Sequence, residues 1–348
     1  MTEYPAAYGR ALRIVIPGGS GNVGRVLAGF FQERGHQVTV LTRGPYTANW
    51  QTVHWDGEHA GPWTETLEGA DVCINLTGRS VNCRYTEANR KEIYQSRIGS
   101  TQLLNEAMEG LAYPPRVWLN ASAAAIYRRV VDADGVDVPL DAAAETAASD
   151  ARWDHVERRW AERGEFIERV AKDWEAALFA GGSERTRKIA LRTGIVLNPT
   201  AGSVFGVLST LTRAGLGGTA GNGRQFVSWI HELDYARAVE FLIEREDLAG
   251  AFNMTAPEPV TNREFMAGLR EAWGRPNGLP APALLIKLGA IFLRTEPELV
   301  LDSCRAVPGR LLEAGFRFEF PEWDEAAADL VRLWRQRVSD MGAMGLRG

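Results

Sequence analysis

Leu12-Arg13-Ile14-Val15-Ile16-Pro17-Gly18-Gly19-Ser20-Gly21-Asn22-Val23-Gly24 is the stretch on which the reading of this chain turns. Residues 12–16 form a short apolar run closed by proline and glycine, the pattern of a strand buried on both faces. Beyond it, Val23, Leu27, Phe30 and Phe31 share one helical face, and Gly35 stops the helix. Gln37-Val38-Thr39-Val40-Leu41 is a second β-rich run. Strand, glycine turn, helix, strand is the opening of a nucleotide-binding α/β unit. Gly18 permits the tight turn, and Gly21 lets backbone approach a pyrophosphate. Gly24 lets the helix pack on the sheet with its N-terminal amides facing the anion. Ser20, Asn22 and Val23 complete the cradle.

The alternation continues outward. Val72-Cys73-Ile74-Asn75-Leu76 reads as a strand, Ala88 to Glu109 as a long helix, and Arg116 to Ala121 as a strand. Phe166, Val170, Trp174 and Leu178 recur every four residues and predict a helix over 166–179. Lys188 to Arg192 is a further strand. This rhythm predicts a doubly wound parallel sheet, a Rossmann-type α/β fold, with a smaller α/β domain after it on the substrate side. The nucleotide-binding domain is expected over 11–255, with a surface insertion at about 128–165 and with 200–225 contributing to the substrate pocket. The C-terminal domain is expected over 256–340. There Thr261-Asn262-Arg263-Glu264 is a capping box. Phe316-Arg317-Phe318-Glu319-Phe320 alternates as a half-buried strand does.

Composition narrows the function classes. The 348 residues are 45% hydrophobic and 24% charged, with 44 acidic against 39 basic residues and a net charge of −5. A nucleic-acid binder needs a basic face, so that class is disfavoured. Three cysteines make no disulfide framework, which fits a reducing cytoplasm. MTEYPAAYGR has no apolar signal core, and Ala283 to Leu293 is too short to span a bilayer. The expected partner is a small-molecule substrate, bound by a monomer or homodimer, without membrane or nucleic acid.

The second strand ends in Thr42-Arg43 with no Asp or Glu to bond a ribose 2′-hydroxyl. Arg43 offers a planar cation suited to a 2′-phosphate, which argues for NADP over NAD. Gly-x-x-Gly-x-x-Gly resembles the short-chain dehydrogenase/reductase superfamily, in its extended NAD(P)-dependent epimerase/dehydratase branch. Asn75-Leu76-Thr77-Gly78 resembles that family's turn after strand four, which implies Leu76, Thr77 and Gly78 beneath the cofactor. Ser96-Arg97-Ile98, Leu191-Arg192-Thr193-Gly194 and Trp229-Ile230-His231 with Asp234 also resemble family segments. The C-terminal Val307 to Phe316 resembles an appended domain of unknown function. That combination is typical of a bacterial nucleoside-diphosphate-sugar-epimerase-like group. The resemblance implies Ala121 and Thr193 at the cofactor and Asp56 near its adenine edge.

The chain departs from the superfamily at its chemistry. Tyr-x-x-x-Lys normally places a lysine so that the phenol can move a proton while nicotinamide moves a hydride. None of the eight tyrosines has lysine four residues on. The helix that should carry the pair offers Ile167 and Ala171, with Lys172 one residue off. Ser122 and Tyr127, after strand five, are the remaining catalytic candidates, both as hydrogen-bond donors to an oxyanion; Tyr127 reads equally as a pocket wall.

The other chemical residues read blandly. His54 to His59 lacks metal-ligand spacing, and no metal is expected. Cys83 reads as a small pocket residue and His231 as a hydrogen-bonded core histidine. Arg79, Arg84, Arg213 and Arg224 read singly as surface charge, although two of them could clamp a sugar diphosphate. Trp153, Val156 and Trp160 read as core or lid. Two functions compete. One is an NADP-dependent oxidoreductase or epimerase acting on a small polar metabolite, such as a nucleotide sugar. The alternative is a non-catalytic dinucleotide-binding redox sensor or regulatory protein, which the missing lysine supports.

Overall fold

A computed structural model of the chain describes residues 10–44, 47–127, 158–283, 286 and 301–345. The strands are β1 (Arg13–Pro17), β2 (Gln37–Thr42), β3 (Gln51–His54), β4 (Val72–Asn75), β5 (Val117–Ala123), β6 (Arg187–Thr193), β7 (Ile195–Leu197), β8 (Phe226–Val227), β9 (Trp229–His231), β10 (Gly250–Met254) and β11 (Val260–Thr261). The helices are α1 (Asn22–Glu33), α2 (Glu87–Glu109), α3 (Arg158–Ala180), α4 (Val204–Arg213), α5 (Glu232–Glu244), α6 (Asn262–Ala272), α7 (Gly309–Glu313) and α8 (Trp323–Gly345). No helix among the described residues is long and apolar enough to cross a membrane.

The chain forms two compact units. The first holds the described residues up to 127 together with 158–193 and 236–254; the second holds 194–235 and 255–345. No break in composition marks the passage at 193/194, because β7 and β9 are as apolar as strands of the main sheet.

In the first unit seven strands form one sheet in the order β10-β6-β5-β4-β1-β2-β3, and every pairing is parallel. The fold class expected from the alternation is therefore observed. The order reverses between β1 and β4, which makes a crevice outside their carboxyl ends, where ligands of open α/β sheets bind. Leu27, Ala28, Phe30 and Phe31 are the buried face of α1, and Gly35 follows it with φ of 81°. On α3, Phe166, Val170, Trp174 and Leu178 are all buried, as their spacing requires. They pack with Ile93 and Ile98 of α2 and with the sheet. Residues 128–157 of the expected insertion, with Trp153 and Val156, and the Trp160 side chain lie outside the described residues.

The second unit has two small sheets, parallel β7–β9 and antiparallel β8–β11. Its core is aromatic: Phe265 of α6 stacks on Trp323 of α8 at 4.0 Å, and Trp229 meets Trp323 edge-on at 5.2 Å. The Thr261–Glu264 capping box forms with both reciprocal bonds.

Phe316–Phe320 corrects an expectation, because it is not a strand. Phe316 is buried and Arg317 and Glu319 are exposed, but among the described residues no strand pairs with this segment. The N–H groups of Glu319 and Phe320 each donate to the Asp234 carboxylate at 2.8 Å instead. Alternation reports burial on one side, and here a side chain replaces the neighbouring strand.

Candidate functional site in the first unit

The glycine turn leaves β1 at Pro17 and packs against β4. Gly18 has φ of 74°, and a Cβ there would lie 2.9 Å from the backbone of Leu76 and Thr77. At Gly24 a Cβ would reach within 2.4 Å of Gly19. Both are glycine because protein backbone fills the space. Gly21 differs. It is the N-cap of α1 with φ of −71°, and an added Cβ would meet only Gly18 O, at 3.5 Å. Nothing among the described residues requires glycine there, and a small residue at a helix N-terminus leaves its amides open to an anion.

The second strand closes onto the same turn. Thr42 Oγ1 donates to Ser20 Oγ at 3.0 Å, tying the end of β2 to the cradle. Arg43, the next residue, is exposed and has no hydrogen bond or ion pair among the described residues. Asn22 accepts from Arg25 at 2.6 Å, and Val23 is half-buried on the first turn of α1. Asp56 lies on the loop after β3. Its carboxylate takes the N–H groups of Glu58 and His59 and the His59 Nδ1, which together hold it well below the usual carboxylate range. The adjacent Gly57 comes within 4.0 Å, as an added Cβ, of the Thr77 methyl.

The turn after β4 supplies the opposite wall. Leu76 N donates to Pro17 O at 2.9 Å, and Thr77 N to Asn75 Oδ1 at 3.1 Å. Asn75 in turn bonds Asn120 on β5 at 2.7 Å, its register partner. Thr77 Oγ1 is shielded from water and has no hydrogen-bond partner among the described residues, a condition that calls for an explanation in a folded protein. Gly78 lies beneath the Arg97 guanidinium, 3.1 Å from an added Cβ. Burial pushes the Arg97 pKa down to about 10.

Beyond β5 the structure assembles a polar cluster that spacing does not show. Ser122 on β5, Arg192 on β6 and Asn253 on β10 are register partners in one row across three strands. Glu175 of α3 sits over that row. Ser122 Oγ donates to Glu175 Oε1 at 2.6 Å. Arg192 grips the same carboxylate through Nε at 2.8 Å and Nη2 at 2.7 Å. Tyr127 follows the short 3-10 turn Ala124–Ile126. Its hydroxyl donates to Asn253 Oδ1 at 2.7 Å and accepts from Arg192 Nη1 at 3.1 Å. Burial works against the charge on Arg192, but the hydrogen bonds and charge of Glu175, with a smaller share from Tyr127, outweigh it and raise the guanidinium pKa.

The expected residues thus fall into groups. Gly18, Ser20, Gly21, Asn22, Val23, Gly24, Thr42 and Arg43 surround one turn, and Leu76, Thr77 and Gly78 face it. Ala121 and Thr193 lie at the carboxyl ends of β5 and β6; Thr193 Oγ1 bonds Leu191 O at 3.0 Å. Ser122 is buried, and its one proton is engaged by Glu175 rather than directed at a ligand. Lys172 pairs with Glu168 at 2.7 Å and takes no part in the cluster. Arg79 pairs with Glu92. His231 is a core residue of the second unit, stacked on Phe320 at 4.1 Å. Glu175, Arg192 and Asn253 are what sequence reasoning missed. The available signal was a carboxylate and a guanidinium inside apolar stretches, since buried charges are paired.

The profile of the NAD dependent epimerase/dehydratase family matches residues 14–162, and that of a domain of unknown function (DUF1731) matches 281–330. The chain is 30% identical over 326 residues to the epimerase family protein SDR39U1 of Bos taurus, covering 92% of this chain and 100% of that one. Among solved structures it resembles human SDR39U1 isoform 2 with NADPH, at 28% identity and a TM-score of 0.75, over 92% of this chain and 99% of that one. It also resembles a nucleoside-diphosphate sugar epimerase from Corynebacterium glutamicum, at 25% identity and a TM-score of 0.67, over 93% of this chain and 59% of that one. A glycine cradle at the sheet's switch point and similarity along nearly the whole chain lead to one assignment: the chain belongs to the NAD-dependent epimerase/dehydratase family, in the group that carries the C-terminal domain of unknown function.

Proposed function

We propose that the chain is an NADP(H)-dependent oxidoreductase or epimerase acting on the carbonyl or alcohol of a small polar metabolite, with nucleotide sugars as the first class to test. The observation that carries the cofactor choice is the exposed Arg43, without an ion pair among the described residues and next in sequence to the Thr42 that bonds Ser20. No carboxylate stands at that strand end to receive a 2′-hydroxyl, and the arginine fork suits a 2′-phosphate. Gly18, Gly21 and Gly24 would hold the pyrophosphate, and Thr77 Oγ1 would gain the partner it lacks. The relative crystallised with NADPH supports the same choice.

Bound NADPH supplies a hydride. The chain's task is then to give a proton to the oxygen of the reduced carbonyl, and we assign it to Tyr127. Its hydroxyl rotor can exchange Asn253 for a substrate oxygen without moving the ring. The test of the cofactor assignment is a fluorescence titration with NADPH and NADH. NADPH binds more tightly to the native protein. Arg43→Ala loses about 1.5–3 kcal/mol for NADPH and little for NADH. A native preference for NADH, or equal loss for both, overturns the assignment.

A second reading keeps the cofactor and drops the chemistry. α3 carries Ala171 at the expected lysine position, and the charge one turn further on is the carboxylate of Glu175, held by Ser122 and Arg192; this favours a dinucleotide-responsive sensor. Cofactor oxidation across a panel of carbonyl and sugar substrates separates the two, because a sensor binds NADPH without turning it over.

A further inference from the structure

Tyr127 has no lysine at four-residue spacing, yet a positive charge reaches its oxygen from the sheet. Arg192 is 3% exposed. Two of its nitrogens are engaged by Glu175 in a bidentate pair, and that pair aims the third, Nη1, at the phenol oxygen at 3.1 Å. The guanidinium also lies 5.3 Å from the centroid of the Tyr127 ring. Ser122 holds the carboxylate from the other side, so each member of the chain Ser122–Glu175–Arg192–Tyr127–Asn253 is fixed by the next. A buried ion pair is a poor source of stability compared with apolar residues of the same volume. A pair that also brings Nη1 onto a phenol oxygen has a different use.

We propose that Arg192 is the positioning residue of Tyr127: a guanidinium borne by the sheet replaces the absent helix-borne lysine and keeps a fixed positive charge on the phenol oxygen. The proposal rests on reading Tyr127 as the proton donor. When the carbonyl carbon gains the hydride, NADPH being the reductant, the former π pair moves onto the substrate oxygen. The Tyr127 O–H bond breaks and its proton bonds that oxygen. The electron pair left on Tyr127 is a phenolate beside Arg192, and water returns a proton to it. Among the described residues, the charged groups facing Tyr127 are Arg192 from β6 and, behind it, Glu175 from α3. Asn253 of β10 and Ser122 of β5 are uncharged. An opposite charge in contact favours the ionised phenol.

The experiment needs no substrate and no cofactor. Tyrosinate absorbance is titrated in the native protein and in Tyr127→Phe, and the difference is the ionisation of Tyr127. Arg192→Met alone strands the buried Glu175 carboxylate and destabilises the fold, so the informative variant is Arg192→Met with Glu175→Gln, which removes both charges. In that background, again by difference against added Tyr127→Phe, the Tyr127 midpoint rises by about one to three pH units. Arg192→Lys, which keeps the charge, leaves it near the native value. An unchanged midpoint in the charge-free variant overturns the proposal, as does an Arg192→Lys midpoint equal to that of the charge-free one. NADPH is titrated into the same variants. Failure of the native protein to bind it sinks the nicotinamide reading while the tyrosine result stands or falls separately.

Discussion

At the scale of single residues, the glycine turn was open to sequence reasoning and the polar row beside Tyr127 was not. A glycine announces itself where backbone fills the space a side chain would take, as at Gly18 and Gly24; at Gly21 an added Cβ would make only an ordinary contact with Gly18 O. Tyr127 was visible as a phenol after strand five, but the hydroxyl's partners Arg192 and Asn253 lie 65 and 126 residues away in sequence. Its hydroxyl lies between a guanidinium and an amide oxygen, the geometry on which its proposed role as proton donor rests. Tyr127→Phe, once a substrate is in hand, should lower kcat by about 10–10³-fold with NADPH affinity nearly unchanged. A variant that turns over at the native rate removes Tyr127 from the chemistry, and the proton must then come from elsewhere in the first unit.

At the scale of elements, periodicity was a sound guide wherever burial alone decided the pattern. The four-residue stripe of α3 and the continuous apolar run of β1 both formed as their patterns require. It failed at Phe316–Phe320, where a carboxylate took the place of a strand. The capping box at α6 is the opposite case, a local signal that local chemistry satisfies. Thr261→Ala removes an N-cap side chain and should destabilise the second unit by about 1 kcal/mol, with Thr261→Ser close to native. Denaturant unfolding followed by tryptophan fluorescence reports it, since Trp229 and Trp323 share that core. Equal midpoints for native and alanine forms would make the cap dispensable.

At the scale of the whole molecule, stability should fall on mild acidification, and His231 is one cause. Burial pushes its pKa down from 6.5 to about 4, outweighing the pull of Asp329. The folded protein then binds the proton less readily than the unfolded chain between those two values. The neutral-histidine stability is complete above pH 6.5, is lost as pH falls towards 4, and loses nothing further below. The slope from this one group is at most about 1.4 kcal/mol per pH unit. Unfolding free energies measured at pH 7 and pH 5 should differ less in His231→Gln than in the native protein; an identical difference assigns the acid sensitivity to other groups. The same scale separates what the chain spells out from what folding adds. Strand, glycine turn and helix follow from residues adjacent in sequence, and so do the doubly wound class and the cation at the end of β2. The row of Ser122, Arg192 and Asn253, the carboxylate of Glu175 above it, and the passage of 194–235 into the second unit depend on strand register and helix placement. Those are set by long-range burial across the sheet, and no local pattern encodes which distant charges it will bring into contact.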